Sequence, residues 1–330
     1  MPAHSPDRLL RLGLGFWAAR AVLAAIDLGV FRELGRGPRS RRQLCATLAL
    51  KDCAADLLDA LVALELLERE GDDEHAIYVT TRESAHFLDA RSESYIGVLL
   101  DGADTQTHGS WQQLSAALRV SGIRPAGADT AANPLQLARK LDAAGALSAA
   151  SRELFVERFD FSRYRTAIDI GGGNGELACM IVQHAPQMRC VTLERSDIQR
   201  HAQHYAALHG QGRVEARVFD EAEPLPAADI IAVNRALSGR DENTKRELFT
   251  KGYAAVLPGG CVVAIDYLVE DSRRGDALPW LLSLNRVLDT GSSGAFSAAD
   301  FDRWSRAAGF ARSEAVPLAA GTSAAIAWKE

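Results

Sequence analysis

The chain has 330 residues, 47% of them apolar and 24% charged, with a formal charge of −6. That length allows one large domain or two smaller ones with cores of their own, and the composition excludes a disordered chain or a fibre. The acidic balance argues against nucleic acid as the main partner, and five scattered cysteines without a CxxC pair (Cys45, Cys53, Cys179, Cys190, Cys261) read as buried thiols of a reducing cytoplasm, not as disulfides or zinc ligands.

The N-terminus, "MPAHSPDRLLRLGLGFW", has no uninterrupted apolar core before a small-residue cleavage site, so no signal peptide is expected. Arg11, Arg20 and Asp27 break the longest apolar stretch, so no membrane span is expected. "LLRLGLGFWAARAVLAAIDLGVFREL" carries apolar residues at helical spacing. Ser40 can cap a helix over "RRQLCATLAL", and Asp52 a longer one over "CAADLLDALVALELLERE". "GDDEHAIYVTT" then reads as a turn and a strand, the second half of a small hairpin. Two helices and a hairpin in that order suggest a winged helix-turn-helix unit over residues 1–90. Its would-be recognition helix carries Asp52, Asp56, Asp59, Glu65, Glu68 and Glu70 against only Lys51 and Arg69. Phosphates would repel it, so packing or dimerisation suits it better than DNA. The basic "RGPRSRRQ" is read as a solvated turn.

Residues 91–160 are helical again: "SYIGVLLDG", "SWQQLSAALRVSG" and "PLQLARKLDAAGALSAASRELFVERF", with "SGIRPAGADTAANP" as a loop. Over residues 161–330 strands alternate with helices, the pattern of a parallel sheet covered on both faces. The expected strands are "TAIDI", "RCVTLE", "VEARVF", "DIIAVN" and "CVVAIDYLV", followed by "EAVPL" and "AAIAWKE" near the C-terminus. The helix "PWLLSLNRVL" has an apolar face that core packing alone would explain.

Between the first of these strands and the next helix lies a glycine loop, with Gly171, Gly173 and Gly175 spaced GxGxG. Glycines there let a backbone approach a ligand closely. The dinucleotide fingerprint needs a glycine where Glu176 stands. That acid at a helix N-terminus disfavours a pyrophosphate and tolerates a cationic ligand. Asp169 ends the strand before the loop. Glu194 ends the next strand about 20 residues past the last loop glycine, where an acid accepts hydrogen bonds from ribose hydroxyls. Asp220 ends the third strand, where an acid can meet an adenine amino group, and Asp229, Asn234 and Arg235 bracket the fourth.

The successive stretches "AIDIGGGNGE", "TLERSD", "VFDEAEPLPAADIIAVNRAL" and "LPGGCVVAIDYLVED" resemble the ordered motifs of class I S-adenosylmethionine-dependent methyltransferases. The N-terminal helices and wing resemble the dimerisation domain of the small-molecule O-methyltransferase family, which includes plant phenolic, acetylserotonin and bacterial natural-product enzymes. The likeness covers nearly the whole chain. It implies an α/β fold: a Rossmann-like seven-stranded methyltransferase sheet behind an α-helical winged-helix dimerisation domain. Residues 1–90 would dimerise, residues 91–160 would be linker helices capping the active site, and residues 161–330 would bind the cofactor. It implies a cytoplasmic homodimer acting on a small, aromatic natural product, with S-adenosylmethionine as cofactor, no metal, and neither nucleic acid nor membrane as partner. By resemblance the loop from Asp169 to Gly175 holds the methionine end, Glu194 the ribose and Asp220 the adenine, with Asn234 and Arg235 beside them. The family's glycine before the adenine acid is Phe219 here, placed to stack on the adenine or crowd it.

A second departure bears on mechanism. After the fourth strand the family carries a His followed by an acid, and that His deprotonates the substrate. Here "RALSGRDEN" puts Ser238 and Gly239 at those positions, and serine is no base near neutral pH. A second family acid is matched by Asp266; a third has no match in "TGSSGAFS". Three readings follow. The substrate needs no strong base and positioning does the work; His108 or Asp266 supplies the base; or the cofactor assists hydroxylation, decarboxylation or pericyclic chemistry instead. Resemblance places Trp111, Leu281, Leu282 and Asn285 at the substrate, although Trp111 and the leucines are equally suited to core packing. A winged-helix regulator that senses the cofactor is the alternative of a different class.

Overall fold

The structure is a computed structural model and describes residues 5–51, 54–71, 75–102, 111–119, 134–238, 240–291 and 293–330. His108, Asp52 and Cys53 lie outside the described residues. The chain forms two compact units, Met1–His108 and Gly109–Glu330.

The first unit contains α1 (Asp7–Gly13), α2 (Gly15–Asp27), α3 (Val30–Leu34), β1 (Arg39–Ser40), α4 (Arg41–Leu48), α5 (Ala54–Ala63), β2 (Leu67–Glu70), β3 (Ile77–Thr80), α6 (Arg82–Phe87) and α7 (Gly97–Gly102). The strands form an antiparallel sheet in the order β1-β3-β2. Phe31, Leu44, Leu58, Leu61, Leu67 and Tyr78 make its core. Ser40 caps α4 in a capping box with Gln43, as its sequence indicates.

The helix expected over residues 53–70 is shorter than that. It ends at Ala63, and Glu65 adopts a left-handed φ of 60°. Leu66 N–H donates to Leu61 O and Glu65 N–H to Val62 O, both at 2.9 Å, the paired bonds of a Schellman stop. The chain then reverses, and "LERE" pairs with β3. Glu65, Glu68 and Glu70 therefore leave the helix, so its charge as a recognition helix rests on Asp56 and Asp59. Asp59 is already engaged, accepting from Arg69 Nη1 at 2.9 Å and Tyr78 Oη at 2.8 Å.

On α1 and α2, Leu9, Leu12 and Trp17 are 72%, 69% and 60% exposed, an apolar surface larger than a solvated face explains. Among the described residues no single helix is long and apolar enough to cross a membrane; only α1 and α2 taken as a bent pair meet the length and composition needed.

The second unit opens with α8 (Leu114–Ala117) and the 25-residue α9 (Pro134–Arg158). There follow β4 (Thr166–Ile170), α10 (Glu176–His184), β5 (Arg189–Glu194), α11 (Ser196–His209), β6 (Val214–Val218) and β7 (Ala228–Asn234). The last elements are α12 (Glu242–Ala255), β8 (Val256–Asp266), α13 (Leu278–Thr290), α14 (Ala298–Ala308), β9 (Arg312–Pro317) and β10 (Ser323–Trp328). The seven strands run β6-β5-β4-β7-β8-β10-β9, with β10 antiparallel to both its neighbours and the other pairs parallel. The apolar runs expected as strands all lie in this sheet.

Side chains alternate between two cores. Phe155 of α9, Leu177 and Ile181 of α10 and Ile230 of β7 fill one face. Ile168 and Ile170 of β4, Phe249 of α12 and Phe301 and Trp304 of α14 fill the other. The strand order reverses between β4 and β7. Open α/β sheets bind ligands beyond the C-terminal ends of strands at such a switch point, and the glycine loop is there.

Candidate active site

The loop leaves β4 with left-handed φ at Gly171, Gly173 and Gly175 (68°, 74° and 79°). Gly172 is required for space: a Cβ there would lie 2.1 Å from an Asp169 carboxylate oxygen. The loop is clamped from α9. Buried Arg152 pairs with Glu176 and donates to Gly145 O at 2.7 Å, while Asn174 Nδ2 donates to Glu176 Oε1 at 2.6 Å. A side chain at Gly145 would collide with Glu176, so this helical glycine lets α9 approach the loop.

These elements enclose a cavity of about 540 Å³. Leu141, Ser148 and Arg152 of α9 line one side; Gly171 to Asn174, Glu194, Phe219, Glu221, Asn234, Arg235 and Arg240 line the rest. Unpartnered polar atoms lie in and behind its walls, the donor Arg152 Nε among them. Both Asp169 carboxylate oxygens and Asn234 Oδ1 are buried with no hydrogen-bond partner. Burial pushes Asp169 up to about 7, against the nearby charge of Arg152. Burial and then the charge of Asp169 push Glu194 up to about 8, although the Thr192 hydroxyl donates to it at 3.1 Å. Burial lowers Arg152 to about 10. Buried acceptors left unpaired mark the place of a polar ligand that brings the donors. A ligand with ribose hydroxyls and an ammonium group fits that set.

A smaller cavity of about 150 Å³ adjoins it, and Arg235 lines both. Arg235 has a left-handed φ of 53°, donates through Nη1 to Ser148 Oγ at 2.9 Å, and lies 5.6 Å from the Tyr267 ring centroid. Ser238, Asp266, Leu282, Ser283, Asn285 and Gly294 are also in the lining. Asp266, at the end of β8, is buried and accepts three bonds of 2.9 Å: Ser238 N–H on Oδ2, and Ser238 Oγ–H and Tyr267 N–H on Oδ1. Burial still raises its pKa, those donors opposing. Trp111 Nε1 donates to Asn285 Oδ1 at 2.9 Å. Buried Lys245 donates to Gly294 O at 2.9 Å, and Ser283 Oγ accepts the N–H of Gly294 and Ala295.

Residues 128–311 match the family model of the O-methyltransferase domain, and residues 10–90 that of the O-methyltransferase dimerisation domain. The chain is 30% identical over 315 residues to the tetracenomycin polyketide synthesis 8-O-methyl transferase TcmO of Streptomyces glaucescens, covering 93% of this chain and 92% of that one. The chain belongs to the S-adenosylmethionine-dependent O-methyltransferase family. The enzyme is also 28% identical over 321 residues to the N,N-dimethyltransferase OxyT of Streptomyces rimosus, covering 94% of this chain and 92% of the relative. Its fold matches that of human N-acetylserotonin methyltransferase in complex with SAM, with a TM-score of 0.87, 24% identity and 99% of each chain covered.

Of the residues singled out from the sequence, Gly171, Gly173, Glu194, Phe219, Asn234 and Arg235 line the enzyme's larger cavity, and Asp169 lies buried behind its loop. Gly175 is instead the N-cap of α10. Asp220 is exposed and outside the lining, its carboxylate accepting Ala222 N–H at 2.8 Å. Ser238, Asp266, Leu282 and Asn285 come together at the smaller cavity, with Trp111 bonded to Asn285; Leu281, 45% exposed, is not in that lining. Sequence reasoning missed Arg152, Ser148 and Arg240. Arg152 sits in a helical run that reads like any solvated face, and only Gly145, unusual within a helix, hinted at the close approach.

Proposed function

We propose that the larger cavity holds S-adenosylmethionine and the smaller one seats the acceptor atom of a small aromatic natural product, an O, N or S, with methyl transfer driven largely by proximity. The carrying observation is the Ser238–Asp266 pair: among the described residues, no histidine lines either cavity. S-adenosylmethionine supplies an electrophilic methyl group on a sulfonium. Glu194 would accept the ribose hydroxyls, and Asp169 and Asn234 would accept donors at the methionine end. Asp266 already accepts three hydrogen bonds and holds the Ser238 proton. Ser238 therefore turns its lone pairs to the cavity and can accept the acceptor's O–H or N–H. It orients the nucleophile without being basic enough to keep its proton. Positioning of this kind contributes up to roughly 7–11 kcal/mol of a barrier. The 8-O-methyl and N,N-dimethyl names of the relatives leave oxygen and nitrogen both open as the acceptor atom.

The test is methyl transfer from labelled cofactor to a panel of phenols, amines and thiols of graded pKa. The pH profile should follow each acceptor's own pKa, and Ser238→Ala should change turnover only modestly. A loss above about a hundredfold in Ser238→Ala, with cofactor affinity intact, would sink the proximity reading. A profile set by an enzyme group near about 6.5, abolished in His108→Ala, would move the base to that histidine. Cofactor-dependent conversion of an acceptor without methylation would favour the non-methylating reading.

A further inference from the structure

A cavity of about 280 Å³ lies on the antiparallel edge of the sheet and shares no lining residue with either cavity above. Its floor is one face of β9 and β10, and its wall is the end of α9 and the segment running to Tyr164. Phe155, Phe159, Tyr164 and Trp328 give it aromatic sides, with Phe159 stacked on Tyr164 at 5.7 Å and 21°. Its charged lining is uneven: Arg158, Arg163 and Arg312 against Asp160 and Glu314. Asp160 is turned to its own backbone, accepting Ser162 N–H at 2.9 Å, and Arg163 donates to Gly259 O at 2.6 Å. Arg312 is held differently. Its guanidinium lies 3.6 Å from the Trp328 ring centroid, and among the described residues no carboxylate pairs with it.

We propose that this cavity is a second ligand site, for a planar aromatic carboxylate, with the ring among these aromatic side chains and the carboxylate on Arg312. The volume falls below the range of about 300–1,000 Å³ that holds drug-sized ligands, so the occupant has one or two fused rings. A guanidinium pre-oriented on a tryptophan face offers a planar fork that matches a carboxylate and loses little freedom on binding it. Ser148, Arg152 and Phe155 follow at i, i+4 and i+7 on α9. The first two line the cofactor cavity and the third lines this one, so one helical stripe carries both sites.

Calorimetry on the full chain, saturated with S-adenosylhomocysteine to fill the cofactor cavity, tests this with naphthoate as probe. The expected result is saturable one-site binding, weakened about tenfold or more in Arg312→Ala by loss of a charge-assisted bond. Trp328→Leu should weaken it comparably, and Trp328→Phe, the conservative variant, should retain most of it. Glu314→Gln should tighten it by about twofold, the modest gain expected at an exposed charge. Naphthalenemethanol should bind less tightly than naphthoate, and naphthylmethylammonium less tightly still. Three results would overturn the proposal: no saturable binding at millimolar naphthoate, binding that Arg312→Ala leaves unchanged in a folded protein, or an ammonium analogue that binds as well as the acid.

Discussion

Cofactor affinity should depend on pH, because Glu194, proposed to receive the ribose hydroxyls, is held largely protonated near neutrality in the empty protein and Asp169 is held about half so. Glu194 sits at about 8 and Asp169 at about 7, both raised by burial. The sign follows from the carboxylate: burial disfavours the charged form, so the folded chain keeps protons that the unfolded chain has lost. Between the ordinary carboxylate range and about 8 the empty protein therefore loses stability as pH rises, and above that window it loses no more from these groups. The cofactor opposes that preference, since ribose hydroxyls and an ammonium group donate more strongly to an ionised carboxylate than to a neutral one. Binding then releases protons, and affinity rises with pH until Glu194 is ionised. At about pH 6.5, one and a half units below the Glu194 value, affinity should be lower than its plateau by up to roughly thirtyfold from this residue alone. Calorimetry with S-adenosylhomocysteine, in buffers of low and high ionisation enthalpy, measures both the affinity and the protons released. Glu194→Gln should lower the plateau and flatten the profile. Affinity that is flat across this window, or a Glu194→Gln variant with an unchanged slope, would refute the reasoning.

Glu194→Ala should weaken cofactor binding by roughly 1–3 kcal/mol through lost charge-assisted bonds, and NAD should not bind; NAD affinity comparable to that of S-adenosylhomocysteine in calorimetry would contradict this. The exposed Leu9, Leu12 and Trp17, the last two on residues matching a dimerisation domain, should be buried between two copies. Light scattering should give a dimer at micromolar concentration and a monomer for a Leu12→Asp, Trp17→Asp double variant; a monomeric native chain would count against it. Asp266→Asn places an amide where three donors converge and should cost roughly 1–3 kcal/mol of stability in denaturant unfolding.

The parallel sheet was legible because buried strands are written as short apolar runs between turn residues, and "TAIDI" and "RCVTLE" coincide with β4 and β5. The stop of α5 was not. Its left-handed residue is Glu65, not glycine or asparagine, and the following "LERE" continues a helical pattern until β3 supplies its partner. At the site, the acids at strand ends and the positive-φ glycines could be read from local rules. Asp220 shows their limit: it stands at the right strand end, yet its carboxylate closes its own turn and Glu221 faces the cavity. Arg152 was illegible for the opposite reason, since its burial is made by Gly145 and Glu176 meeting across two helices. No local pattern records such an approach.

The two departures from the family pattern, the serine in place of its histidine and the missing third acid, are joined in space. A Cβ on Gly294 would lie 1.7 Å from the Ser238 carbonyl oxygen, so Gly294, in the stretch that lacks the third acid, can rest on Ser238 only because it has no side chain. Lys245 on its carbonyl and Ser283 on its amides fix that approach through backbone bonds, which a substituted residue at 294 would have to break. Gly294 and Ala295 thus lie with Ser238 in the lining of the cavity of about 150 Å³. A histidine at 238 would have to fit beside Gly294 and an Asp266 whose oxygens are engaged by Ser238 and Tyr267 backbone donors. The serine, the glycine and the aspartate are therefore one packed arrangement, and among the described residues it holds no histidine. On the proposed function, such a position would act by holding the acceptor and not by taking its proton.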